Sequence, residues 1–287
     1  MAEKVVVVDK SRYHELMKAK STMWWGVGTL IVALVALVGY LVAVVFFGPS
    51  RPTLTPVVVK EESREGRYTL DVHYPELDGL RDVVVEEQVN AAIKVRVDAR
   101  VAEFVAGAKE IEKPLFPGAV STLQIEYGVE QLPEQFGAAK SEGAPTQAVL
   151  SLVFHELPYY AGAAHPSGGT TSMNIDLRTG RAIELSELFR TESKPFELLA
   201  GIARGDLQKQ FEPFASKSIG LDDWIAEGTA PKAENYEVFA LRKEGLLLVF
   251  NPYQVAPYVF GERQVLVPWT TLRASLTPAW QGALADK

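Results

Sequence analysis

Four histidines and no cysteine bound the metal and covalent chemistry open to this chain. His14, His73, His155 and His165 lie far apart, and none sits in a His-x-x-x-His or His-Glu-x-x-His pattern that would turn two ligands to one helix face. Structural roles and no metal are expected. Ser167 follows His165 closely, but a nucleophile and its base normally converge from separate elements, and no Gly-x-Ser-x-Gly elbow occurs. Asp222 and Asp223 are adjacent, so on a helix they point apart and read as a solvated helix start rather than an acid/base pair. Asn174 and Asp176 precede Thr179-Gly180 and read as turn-stabilising. With no acid/base, nucleophile or metal constellation, the expectation is a protein without catalytic residues or cofactors.

Binding chemistry is better represented. Tyr159, Tyr160, Tyr253 and Tyr258 lie with Phe260 on Pro-flanked loops, and tyrosine offers large, rigid contact area with a polar tip. Together with His165, beside Gly168-Gly169, these are the expected ligand-binding residues; core packing is the competing explanation for the tyrosines.

The elements that must carry them can be read from periodicity. Residues 23–47 contain no charge, and about 25 residues at ~1.5 Å each cross a ~30 Å hydrocarbon core. Trp24 and Trp25 mark one interface of this expected transmembrane helix, Phe46 and Phe47 the other. The rival, a cleaved signal peptide, is disfavoured by the length of the run and by bulky residues where a peptidase wants small ones. Residues 1–22 carry five Lys or Arg against three Asp or Glu, a net +2, which leaves −9 to the remainder of a chain of net charge −7. The positive-inside rule then places the N-terminus in the cytoplasm and the C-terminal part outside. An acidic outer part disfavours nucleic acid and favours a cationic partner.

Residues 48–66, rich in proline and charge, read as a stalk, with an edge strand at Val57-Val58-Val59 as an alternative. Tyr68, Leu70, Val72 and Tyr74 alternate with polar residues as a half-buried strand does, and Pro75 is expected to end it. Val85, Val89, Ile93, Val97, Val101 and Val105 recur every four residues, predicting a long helix with Gly107 as its C-cap. Strands are expected around Leu123–Val129, 148–155 and 171–177, then helices around 196–211 and 221–226. A hairpin of 236–241 with 246–250 and a strand at 264–267 follow. Strands grouped apart from helices predict an α+β fold with antiparallel sheets packed against helices.

Two segments carry a family resemblance. Ala164-His165-Pro166-Ser167-Gly168-Gly169-Thr170-Thr171-Ser172-Met173-Asn174, continuing to Leu188-Phe189, resembles the central segment of the RsiV/PdaC-type extracytoplasmic domain. Leu246 to Gly261, with Phe250-Asn251-Pro252-Tyr253 and Pro257-Tyr258, resembles that family's C-terminal signature. The charge and hydropathy pattern makes residues 1–22 the expected cytoplasmic tail, 23–47 the membrane helix and 48–66 the stalk, and the resemblance covers about Arg67 to Leu272. The expected outer domain has an N-terminal half at 67–165 and a C-terminal half at 166–278, with a tail at 279–287. RsiV-like members are membrane-anchored anti-sigma factors that bind lysozyme, and PdaC-like members carry the domain ahead of a peptidoglycan deacetylase domain. The implied function is therefore an envelope binding or sensing module, its ligand a cationic protein such as lysozyme or a component of the cell wall. The alternatives are an anti-sigma factor holding a sigma factor at the short tail and an accessory to glycan processing.

Overall fold

The computed structural model describes residues 34–40, 51–63, 65–111, 116, 118–133, 148–214 and 220–282. The chain divides into two units, Met1–Pro49 and Ser50–Lys287. In the first, residues 34–40 are helical and exposed. The rest of the apolar run, with Trp24, Trp25, Phe46 and Phe47, and the tail 1–22 lie outside the described residues. No helix among the described residues is long and apolar enough to cross a membrane.

The second unit opens with β1 (Thr53–Glu62), paired along its whole length with β2 (Tyr68–Asp78). Within the stretch read as a stalk, the edge-strand alternative is therefore the one adopted. β2 runs through Pro75, which faces Pro56 of β1; β3 pairs with β2 only as far as Val72, so the proline withdraws no donor from that ladder. Helix α1 (Val83–Glu110) follows, its N-terminus capped by Asp82, whose carboxylate accepts from the amides of Val84 at 3.1 Å and Val85 at 3.2 Å. Gly107 does not end this helix, which continues to Glu110. It lies instead where a Cβ would come within 2.9 Å of the Tyr160 ring, so the missing side chain makes room for an aromatic.

β3 (Ser121–Gln131), β4 (Val149–Tyr159), β5 (Gly169–Asp176) and β6 (Arg181–Ala182) complete a sheet of order β1-β2-β3-β4-β5-β6. One pair corrects the expectation of purely antiparallel sheets: β2 and β3 are parallel. The physical reason is α1, which spans about 42 Å at ~1.5 Å per residue and returns the chain along the sheet before β3 begins. Val85, Val89, Ile93, Val97 and Phe104 of α1 bury against Leu70, Leu123, Ile125, Leu152 and Phe154 of the strands.

The other face of β4 and β5 meets a three-stranded antiparallel sheet, β7 (Phe239–Leu241), β8 (Gly245–Phe250) and β9 (Arg263–Pro268). Tyr236, expected in β7, belongs to the short turn before it. Asn174, expected to stabilise a turn, is buried between the sheets: its Oδ1 accepts from Ser151 Oγ at 2.7 Å, and its Nδ2 donates to the Phe239 carbonyl at 2.8 Å. Asp176 holds the turn, accepting from the Arg178 amide at 2.9 Å. Beyond the second sheet, α2 (Pro195–Phe211) and α3 (Leu221–Gly228) close a further apolar core around Leu199, Leu207, Ile225, Leu248 and Phe250. The α+β class is as expected. The β4–β5 hairpin crosses residues 165 and 166, so the two family halves share one sheet.

Candidate ligand-binding site

Alternation along β3, β4 and β5 sends Leu123, Ile125, Leu152 and Phe154 towards α1 and the intervening residues to the opposite face. Where that face extends past the second sheet, Glu126 lies opposite His155, and His155 opposite Thr170, in one row across three strands. The loop before β9, including Tyr258 and Glu262, walls this row into a cleft of about 600 Å³. The buried Thr170 hydroxyl donates to Glu262, which leaves its oxygen to accept from His155 Nδ1–H at 2.9 Å. This chain of hydrogen bonds orients the cleft's polar groups. The row continues outward through His73, which lies 3.3 Å from Glu126 and 2.9 Å from Asp71. Hydrogen bonds from Lys60 and then His73 hold the Asp71 carboxyl below the usual carboxylate range.

The loop is fixed by Asn251. Its Oδ1 accepts from the Thr170 amide and its Nδ2 donates to the Thr170 carbonyl, while Gln254 accepts from the Asn251 amide at 3.1 Å. A Cβ at Gly169 would lie 3.3 Å from Asn251 Oδ1, so this close approach favours glycine there. Tyr253 takes the left-handed conformation, φ 70°, that turns the loop outward and leaves its ring half exposed.

Three of the five expected ligand-binding residues come together. The His165 ring stacks on Tyr258 at 4.4 Å between centroids, and Tyr258 packs on Tyr253 at 5.4 Å. His165 Nδ1 and the Tyr258 hydroxyl both donate to the Pro166 carbonyl, at 2.8 and 3.2 Å. Tyr160 lies elsewhere, its ring 5.3 Å from Phe104 against α1, and Tyr159 is the half-buried last residue of β4, opposite Thr122. Sequence reasoning missed Glu126, Thr170, Glu262 and the Asn251 clamp. Alternation puts Glu126, His155 and Thr170 on polar faces, but nothing local joins residues so far apart in the chain. Among the described residues no cluster of three or more His, Asp or Glu is placed to hold a metal ion.

Residues 186–270 match the family described as "Protein of unknown function (DUF3298)". The chain carries a DUF3298 domain. That DUF3298 stretch contains α2, α3, the three-stranded sheet and the loop with Asn251, Tyr253 and Tyr258, whereas His165 and Thr170 precede it. Over 271 residues, 90% of the chain, it is 24% identical to the peptidoglycan-N-acetylmuramic acid deacetylase PdaC of Bacillus subtilis, of which it covers 51%. It is 28% identical over 131 residues to the immunogenic protein MPT64 of Mycobacterium tuberculosis, covering 46% of this chain and 52% of that one. The chain thus spans about half the length of the curated relatives it matches. A solved DUF3298 family member from Bacteroides fragilis superposes with a TM-score of 0.55 at 18% identity, covering 83% of this chain and 98% of that one, a likeness of fold.

Proposed function

We propose that this chain is a non-catalytic recognition module of the bacterial cell envelope. Its run 23–47 anchors it in the membrane, and its DUF3298-containing outer domain receives a cationic protein at the cleft beside the Tyr258 loop. The observation that carries this reading is the lining: Glu126 and Glu262 contribute carboxylates and no Lys or Arg lines the cleft, while Val259 on its wall is 84% exposed and Tyr253, packed on Tyr258, is 53% exposed. Carboxylates set the encounter rate of a basic partner, and apolar side chains that shed water on contact set the lifetime of the complex. A basic lytic enzyme of the lysozyme type fits this chemistry and the RsiV-type resemblance. The deacetylase activity in PdaC's name belongs to a protein about twice the length matched, and supports the compartment rather than the reaction.

Surface plasmon resonance of the full-length chain against lysozyme tests the reading. The association rate is expected to fall about tenfold or more between ~50 and ~300 mM salt. Tyr253→Gly is expected to speed dissociation while leaving association nearly unchanged. No binding at low salt would end the proposal.

A further inference from the structure

The strand segment Gly168-Gly169-Thr170 has a second cleft on its other side, about 690 Å³, between β4, β5 and the exposed flank of α1. We propose that this α1-side cleft binds the carboxylate of an acidic saccharide through the guanidinium of Arg96.

The argument starts from Glu156, the carboxylate at the cleft's base. Its Oε2 accepts from Arg100 Nε at 2.6 Å and its Oε1 from the Thr171 hydroxyl at 2.9 Å, and Arg100 also reaches Glu103 at 3.1 Å. Arg100 is thus committed to protein partners. Arg96 is not: its nearest carboxylate oxygen is Glu156 Oε1 at 3.8 Å, beyond hydrogen-bond distance, and it makes no hydrogen bond among the described residues. One face of its guanidinium lies over the Phe154 ring at 5.5 Å, which fixes the plane while 32% of the side chain stays exposed. Burial also lowers the Arg96 pKa, the sign of a charge held with less solvation than it would have in water.

The ligand class follows from the unused donors of Arg96 and from the walls. Arg96 and Arg100 line the cleft with Glu103 and Glu156, and of the two cations Arg96 is the one without a hydrogen-bonded carboxylate, Glu156 lying 3.8 Å from it. A single carboxylate fits the unused hydrogen-bonding edge of Arg96, since a guanidinium grips a carboxylate with two parallel bonds. A dianion would meet Glu103, whose side chain is 73% exposed. Val95, 67% exposed, and Ala99 offer an apolar wall for the C–H face of a sugar ring. Opposite them, the Ser167 hydroxyl and the bare glycine backbone leave room for its hydroxyl groups.

Titration calorimetry of the full-length chain with N-acetylmuramic acid and N-acetylglucosamine, which differ by one lactyl carboxylate, tests this. The acid is expected to bind at least about tenfold more tightly than the neutral sugar. Arg96→Gln is expected to reduce the acid to the level of the neutral sugar, and Arg96→Lys to retain part of the difference. Tyr253→Gly is expected to leave both affinities unchanged, which separates this cleft from the proposed protein-binding rim. Equal affinity for the two sugars, or no binding of either, overturns the proposal in the unaltered protein, whatever Arg96→Gln does to folding. Tighter binding of an acetylated glutamate peptide than of the acidic sugar would overturn the saccharide assignment.

Discussion

The side chain of Asn251 completes β5 from a distance of 81 residues in the chain: Thr170 N–H donates to Asn251 Oδ1 at 2.6 Å, and Asn251 Nδ2 donates to the Thr170 carbonyl at 2.9 Å. An amide side chain here stands in for a strand neighbour and ties the loop of the second sheet to the first. Thr170 is 2% exposed, so its backbone groups have no water to fall back on.

Asn251→Ala is therefore expected to cost about 2–5 kcal/mol, because it leaves a buried N–H and a buried C=O unpaired. Thermal unfolding should show a melting temperature lower by about 5–15 °C. Gly169→Ala, whose methyl group would press on the same amide, is expected to give a smaller fall.

Asn174 joins the two sheets through Ser151, Phe239 and Leu241. Asn174→Ala is expected to lower stability by about 2–4 kcal/mol in urea unfolding. Asn174→Asp should cost more at neutral pH, since it turns a donor into a buried carboxylate oxygen facing the Phe239 carbonyl.

Burial pushes the Tyr236 hydroxyl up from 10.0 to about 12, and its proton is held on the Thr229 carbonyl at 2.8 Å. A folded pKa above the unfolded one means that this contribution is fully present below pH 10.0 and is lost as pH rises towards about 12. The loss over that window is about 2–3 kcal/mol. Tyr236→Phe is expected to lower stability by about 1 kcal/mol at neutral pH and to flatten this part of the profile. Urea midpoints from pH 9 to 12 provide the measurement.

Two tyrosines from the same expected set should behave in opposite ways. Tyr160→Ala removes a ring from Phe104 and Gly107 and is expected to cost about 1–3 kcal/mol. Tyr253→Gly relieves a left-handed φ of 70° and is expected to leave stability unchanged or raise it by up to about 1 kcal/mol. Parallel melts of the two variants decide the matter; a fall for Tyr253→Gly as large as that for Tyr160→Ala would make Tyr253 a core residue.

What the sequence by itself determined is what neighbouring residues determine. The alternation of Leu123, Ile125 and Tyr127 fixes which face of β3 is buried, since successive side chains of a strand point to opposite sides. The four-residue recurrence from Val85 to Val97 makes α1 and its buried stripe in the same way. The aromatic loop was legible too, because Pro-flanked tyrosines are unusual in a polar turn. The tertiary structure alone decided that β3 runs parallel to β2, because direction depends on where a helix delivers the chain and not on alternation. It alone brought His165 onto Tyr258, Asn251 onto Thr170 and Glu262 onto the same threonine. It alone left Arg96 without a hydrogen bond among the described residues, because whether Glu156 has a free oxygen depends on Arg100, a turn further along α1, and on Thr171 of the adjoining strand. Such pairings are set by the packing of whole layers, and no spacing along the chain encodes them.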